Sequence, residues 1–373
     1  MARRNRRAPR RAHERAPIEP QRQVWRRSGY AVVTTVAVLL ASCGTVEQPL
    51  NSWDPQGPIA EKINSLFWPV FWIAVAVFIL VQGALLVAVV VFRDRGEKDK
   101  DRKNPKQTEG NTTLELIWTV IPTLILAGIA VPTVATIFEL GECPADSMDI
   151  EIIGHQWWFE YHYPDTGITT ANVMVIPEDT EICGRMTSDD VIHNYWIPKL
   201  AGKRYLVPGQ ETELRLYAYE PGEYWGHCAE FCGLSHSKMR ARVVSLTLDD
   251  FDAWVDNQLQ VAITPEEGTL AAQGLELFRT GACVGCHILD GVNNPDPSTL
   301  AISAPDLTHF ATRNVFAGAV LPTGLDPTQA DWEAGLAEWL ADPPTVKPGS
   351  FMPNLGLTAD EIDALIAYLG TLK

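Results

Sequence analysis

The chain has 373 residues, enough for two or three domains. Its formal charge is −16, although residues 1–42 hold ten arginines against two glutamates, so the remainder is more acidic still. So acidic a body excludes nucleic-acid binding, and twelve tryptophans in a chain that is only 9% aromatic point to a membrane interface or redox surroundings rather than an ordinary cytosolic enzyme.

Residues 1–42 read as a secretory signal, with a basic region ending at Arg26-Arg27, an apolar run from Ala31 to Ala41, and small residues at the cut. That run is too short to span a bilayer, which takes about 20 residues. Leu40-Ala41-Ser42-Cys43 resembles a bacterial lipoprotein box, with cleavage before Cys43 and lipid on its thiol. A coincidental cysteine after an ordinary signal peptide is the alternative. Residues 43–65 then form an exterior N-terminal segment.

Two apolar segments follow, Leu66 to Phe92 and Leu116 to Phe138, each long enough to cross a membrane. The loop between them, 93–113, carries Arg93, Arg95, Lys98, Lys100, Arg102, Lys103 and Lys106, and the positive-inside rule places it in the cytoplasm. Residues 66–138 are therefore expected to form a transmembrane helical hairpin, with residues 139–373 outside. Glu115 opens the second span, where an ionisable group is ordinarily an interfacial anchor or a partner of the helix dipole.

Residues 139–248 alternate and break like strands, in Asp149 to Ile152, Trp158 to Tyr163 and Glu211 to Tyr217, with turns at Pro164, Pro177, Pro208-Gly209 and Pro221-Gly222. Strands without intervening helical patterns imply an all-β, cupredoxin-like sandwich. Within it, GHCAEFCGLSHSKM (226–239) offers Cys228, Glu230, Cys232, His236 and Met239. Soft sulfur ligands with imidazole favour copper, and a second cysteine makes room for a second copper bridged by both sulfurs. Tetrahedral zinc and a Cys228–Cys232 disulfide are the competing readings of the spacing.

Asp249 to Thr264 reads as a linker helix with Phe251, Trp254, Val255 and Leu259 on one face, ending at a Thr-Pro break. Beyond it, residues 266–373 contain Cys283-Val284-Gly285-Cys286-His287, the attachment signature of c-type haem, in which two thiols form thioethers and the histidine ligates iron. Met352 is the one methionine downstream, and a His/Met pair is typical of electron-carrying cytochromes c. His309 is its rival as sixth ligand. Thr358 to Glu361 form a capping box for a last helix with Ile362, Leu365, Ile366 and Leu369 on one face.

The pattern C-x-E-x-C-x-x-x-H-x-x-M, with His193 in DVIHNYWIP, resembles the binuclear copper (CuA) loop of cytochrome c oxidase subunit II, and the likeness runs from the first span to about Leu248. It implies that Cys228 and Cys232 bridge two coppers, that His193 and Met239 complete one, and that His236 with the Glu230 carbonyl completes the other. By the same resemblance Glu230 faces a magnesium site shared with subunit I, and Glu115 lies at the entrance of a proton path. Trp157, in GHQWWFEYHYPD, matches the tryptophan that takes in electrons on the donor-facing surface. Trp158, Phe159 and Tyr161 are read as packing residues, and His155, His162 and His227 are left out of the ligand set. Cys143 and Cys183 have no place in that pattern; both fall in the exterior segment, where a disulfide can persist, and two separate buried thiols are the alternative.

Residues 266–373 resemble a small class I cytochrome c, in which the carbonyl of Pro305 would orient His287. The whole resembles an oxidase subunit II with a cytochrome c fused behind it, the caa-type arrangement: a membrane-anchored multidomain chain of hairpin, β-sandwich and all-α haem domain. That implies a bacterial inner-membrane subunit taking electrons from an upstream cytochrome or a quinol–cytochrome c reductase. They would pass through haem c and the copper pair to subunit I, where oxygen is reduced to water with proton translocation, subunit III being a further partner. A copper–haem relay for a nitrogen-oxide reductase is one alternative. A quinol-oxidase subunit II is another, opposed by the intact Cys228, Cys232, His193 and His236.

Overall fold

A computed structural model describes residues 34, 49–93, 109–293, 303–324 and 327–373. Cys43, nearly all of the expected signal and most of the charged inter-span loop lie outside the described residues. Helix α1 spans Pro58–Val91 and α2 spans Thr112–Glu139, about 50 and 40 Å at 1.5 Å per residue. Both are apolar all round and long enough to cross a membrane. They begin several residues before the uncharged runs because polar first turns continue the helix: Pro58 sits at the start of α1, and the Asn111 side chain accepts the Leu114 amide at 3.1 Å. Lys62 pairs with Glu139 between the two helices. At the same end the Tyr219 hydroxyl donates to Glu61 at 2.8 Å, and the Arg215 guanidinium to the Glu139 carbonyl at 3.0 Å, which seats the hairpin under the β domain.

Ten strands follow. β1 (Met148–His155), β2 (Trp158–Tyr163), β3 (Ile168–Ala171), β5 (Ile182–Ser188) and β8 (Thr212–Leu216) form one sheet in the order β3-β2-β1-β5-β8. β4 (Val173–Pro177), β6 (His193–Trp196), β7 (Lys203–Leu206), β9 (Gly222–Cys228) and β10 (Arg240–Leu246) form the other, in the order β4-β10-β9-β6-β7. The pairs β1/β5 and β4/β10 are parallel and the rest antiparallel. Alternation in β1 sends Ile150 and Ile152 into a core with Phe159, Tyr161, Tyr195, Leu214 and Leu216. Two of the five candidate ligating side chains hang on this frame directly, since β6 opens at His193 and β9 closes at Cys228. Cys143 and Cys183 are joined by a disulfide that ties the end of α2 to β5. Closing a loop of 40 residues contributes about 4 kcal/mol by restricting the unfolded chain.

Helix α3 (Leu248–Gln258) is capped by Thr247 and ends six residues short of the expected Thr264. The reason is local: the Ala262 amide is drawn off to the Asp290 carbonyl at 3.0 Å, and Pro265 disfavours helical backbone at Thr264. Leu259 is consequently exposed instead of lying on the apolar face. Phe251 does pack, in a cluster that joins Val173 and Val175 of the sandwich to Val315 and Ala319 of the next domain.

That domain comprises α4 (Leu270–Thr280), α5 (Gln329–Ala341), α6 (Pro343–Val346) and α7 (Ala359–Leu369). α7 opens with the Thr358–Glu361 capping box. α4 and α7 cross where Gly274 meets Ala364, and a Cβ there would lie 2.0 Å from the Ala364 carbonyl oxygen, so only glycine permits the contact. Phe278 and Tyr368 complete the crossing, ring centroids 6.3 Å apart.

Candidate metal centre and haem pocket

Two free, buried thiols face each other at the end of the sandwich, Cys228 Sγ and Cys232 Sγ being 3.8 Å apart. They are not a disulfide. Around them lie His193 Nδ1, 3.9 Å from Cys228 Sγ; His236 Nδ1, 3.6 Å from Cys232 Sγ; Met239 Sδ, 3.8 Å from Cys232 Sγ; and the Glu230 carbonyl oxygen, 3.1 Å from Cys228 Sγ. Two thiolates, two imidazoles, a thioether and a carbonyl converging without a counter-charge are a donor set for soft metal, and they fit copper. The loop is shaped for it, with Gly233 at φ +116° between Cys232 and His236.

The electrostatics follow from the crowding. The Cys232 S–H bond holds the Cys228 thiol far below the ordinary thiol range, against the opposing effect of burial. The same hydrogen bond, with burial, pushes Cys232 up. Burial alone would lower His193, but its hydrogen bonds to Asp190 and Cys228 outweigh that and raise it. His193 Nε2 donates to Asp190 Oδ1 at 2.8 Å, which leaves Nδ1 turned to the thiols. Asp190 was not foreseen. An acid three residues before an expected ligand was a usable signal for it.

Of the other histidines, His155 lies between Glu160 at 2.9 Å and Asp189 at 3.5 Å, and stacks on Trp158. His162 bonds Thr169, and His227 packs edge-on against Trp196. None joins the thiols. Glu230 presents its carboxylate to the Tyr205 hydroxyl, which it pushes up. Glu115 sits in the first turn of α2, about 36 Å along the helix from Glu139.

Trp157 is 5% exposed, and its ring lies against Gly349 of the haem domain. Its indole N–H donates to the Cys232 carbonyl at 3.0 Å, and Gln156 Nε2 donates to the same oxygen at 2.7 Å.

A cavity lined by Cys283, Cys286, His287, Pro305 and Met352 lies on the far side of Gln156 and Trp157, which also line it. Its walls are largely apolar, with Phe310, Leu336, Trp339 and Leu365. His287 Nδ1 donates to the Pro305 carbonyl at 2.8 Å, so Nε2 carries the lone pair a metal needs, and burial lowers the ring's basicity. Arg313 lines the same cavity, is 4% exposed, and has Nε without a partner; burial lowers it to about 10. A buried guanidinium with an unused donor is suited to a carboxylate such as haem carries. The residues fit a c-type haem. His309 does not line this cavity; its ring lies between the Lys373 and Gln260 carbonyls, at 3.1 and 2.9 Å.

Three family profiles match the chain: cytochrome c oxidase subunit II, transmembrane domain, over residues 47–136; the periplasmic domain of the same subunit, over 167–246; and cytochrome c, over 271–373. The cytochrome c oxidase subunit 2 of Alkalihalophilus pseudofirmus is 33% identical over 353 residues, covering 93% of this chain and 97% of that one. That of Bacillus subtilis is 31% identical over 359 residues, covering 92% and 96%. The quinol oxidase subunit 2 of Bacillus spizizenii is 34% identical over 230 residues, covering 59% of this chain and 69% of its own. Among solved structures, the periplasmic domain of subunit II of cytochrome oxidase of Bradyrhizobium japonicum is 27% identical, with a TM-score of 0.31 over 31% of this chain and 96% of that one.

Proposed function

Since the chain belongs to the cytochrome c oxidase subunit II family and carries a cytochrome c domain, it serves electron transfer in a membrane-anchored haem–copper oxidase, and we propose that it is the subunit through which electrons reach the oxygen-reducing site in subunit I. Copper and haem when bound supply one-electron redox chemistry at two sites in series. Cys228 and Cys232 would bridge a binuclear copper centre, with His193 and Met239 on one metal and His236 and the Glu230 carbonyl on the other. Cys283 and Cys286 would hold the haem covalently between His287 and Met352, with Pro305 orienting His287.

One observation carries this reading: Gln156 and Trp157 line the haem cavity and at the same time bond the carbonyl of Cys232. Trp157 thus acts as the bridge by which electrons reach copper, and the protein around it excludes water from the path. Asp190 holds the proton on His193 Nε2 and so keeps Nδ1 aimed at the metal. Pro305 does the same for His287 through the opposite nitrogen.

The two helices anchor these domains on the outer face of a bacterial inner membrane, with Cys43 as a lipid site. The copper loop meets subunit I, where the Glu230 carboxylate would share a magnesium ion. Glu115 would stand at a proton-path entrance on the cytoplasmic side, within an assembly that includes subunit III and translocates protons. The haem domain carries fourteen acidic residues against four basic from Glu266 onward, which suits a basic or membrane-tethered donor such as a cytochrome or a quinol–cytochrome c reductase. In membranes lacking this chain, oxygen uptake driven by an artificial one-electron donor should vanish. Undiminished uptake would contradict the role.

A further inference from the structure

Lys347 is a buried amine that lines the haem cavity beside Gln156 and Trp157 and is not one of the proposed ligands. It stands five residues before Met352, is 4% exposed, and its ammonium donates to the main-chain carbonyl of Trp157. No carboxylate is paired with it among the described residues. A lysine desolvated without an anion costs stability, so its place at a domain boundary calls for another explanation.

The boundary around it is bonded in both directions. Lys238, in the copper loop, donates to the Val346 carbonyl, immediately before Lys347. Ser235 Oγ donates to the Pro348 carbonyl, immediately after it, at 2.6 Å. The Arg240 amide donates to the Gly318 carbonyl at 2.9 Å. Gly349 closes the contact: its φ is +83°, and a Cβ there would lie 2.6 Å from Cη2 of the Trp157 indole. The same indole meets Gly233 of the copper loop, where a Cβ would lie 3.1 Å from Cζ2. One ring therefore fills the gap between the segment that carries Met352 and the segment that carries Cys232 and His236.

We propose that Lys347 is a positioning residue for electron transfer between the two sites, its ammonium latching the Met352 segment onto the Trp157 carbonyl so that the indole stays in contact with both domains. This rests on the relay reading above. The step served oxidises the haem iron and reduces the copper pair by one electron, and no bond or proton is exchanged. Because the latch lies out of water and its acceptor is a neutral carbonyl, salt screens it far less than an encounter between charged surfaces. The tethered domain is docked through this bond, and losing it moves the domain towards undocked arrangements in which the indole no longer bridges.

The test uses the full chain in its oxidase complex, with Lys347→Met to keep the apolar stem and remove the donor. After flash reduction of the haem, the haem-to-copper rate should fall about tenfold or more, the consequence of losing a hydrogen bond from a charged donor. Copper and haem content should stay at wild-type values. Amide hydrogen exchange at 156–158 and 346–350 should quicken in the variant, in the metal-free protein as well as the loaded one. An unchanged transfer rate in the folded variant, or unchanged exchange at both segments, overturns the latch. If Lys347→Met does not load haem, Ser235→Ala carries the test: loss of its bond to Pro348 should slow the same step severalfold, and a wild-type rate overturns the proposal. Absence of copper or haem from the wild-type chain would instead refute the relay itself.

Discussion

Cys228→Ser is expected to lower oxygen turnover from a one-electron donor by more than about 100-fold, because even the outer partners of metal ligands cost 10–100-fold when removed. The cause is specific. Cys228 is the thiol that His193, Cys232 and the Glu230 carbonyl all approach, so its loss removes a ligand from every metal the cluster holds. Cys228 shares a buried cluster with Ile150, Phe159, Tyr195 and Leu216, and serine is close enough to cysteine in size for that β core to hold. Haem absorbance and reduction by the external donor should stay normal, with the electron halted at the haem. Normal turnover in this variant would remove copper from the account.

Met352→Ala should act at the other site and in a different way. Haem should remain attached, since Cys283, Cys286 and His287 are untouched, but its potential should drop by on the order of a few hundred millivolts once the thioether is gone. Among the described residues, no second methionine and no histidine other than His287 lines the cavity. His309 is the nearest alternative in sequence terms, and its two nitrogens are held by Gln260 and Lys373. Redox titration of the variant checks this. An unchanged potential, or loss of haem from a folded chain, would show that Met352 is not the sixth ligand.

What the sequence disclosed and what it hid divide along contact distance. The candidate ligands in 226–239 and 283–287 stood out because each set lies within a dozen residues, where spacing is itself the signal. The hairpin and the strands were legible because apolar runs and alternation are local. The residues that tune the sites come from further away. Lys347 meets Trp157 across 190 positions, and Gln156 reaches Cys232 across 76. A lysine in a loop reads as a solvated charge until the opposing surface is known. Arg313 gave no signal either, because its meaning depends on lining a cavity assembled from stretches far apart in the chain. Trp157 was expected in the electron path on resemblance, but its burial against Gly349 depends on a segment far away in sequence. The end of the linker helix was misjudged for a related reason: Ala262 bonds Asp290 of a domain the local pattern does not include.

The central claim is that one chain holds a shared copper pair and a covalent haem on either side of Trp157. Electron paramagnetic resonance of the purified holo-chain, with copper and haem counted per polypeptide, tests it most directly. The account predicts two coppers sharing one unpaired electron and one covalent haem. A mononuclear copper spectrum, or zinc in place of copper beside an intact haem, would contradict it.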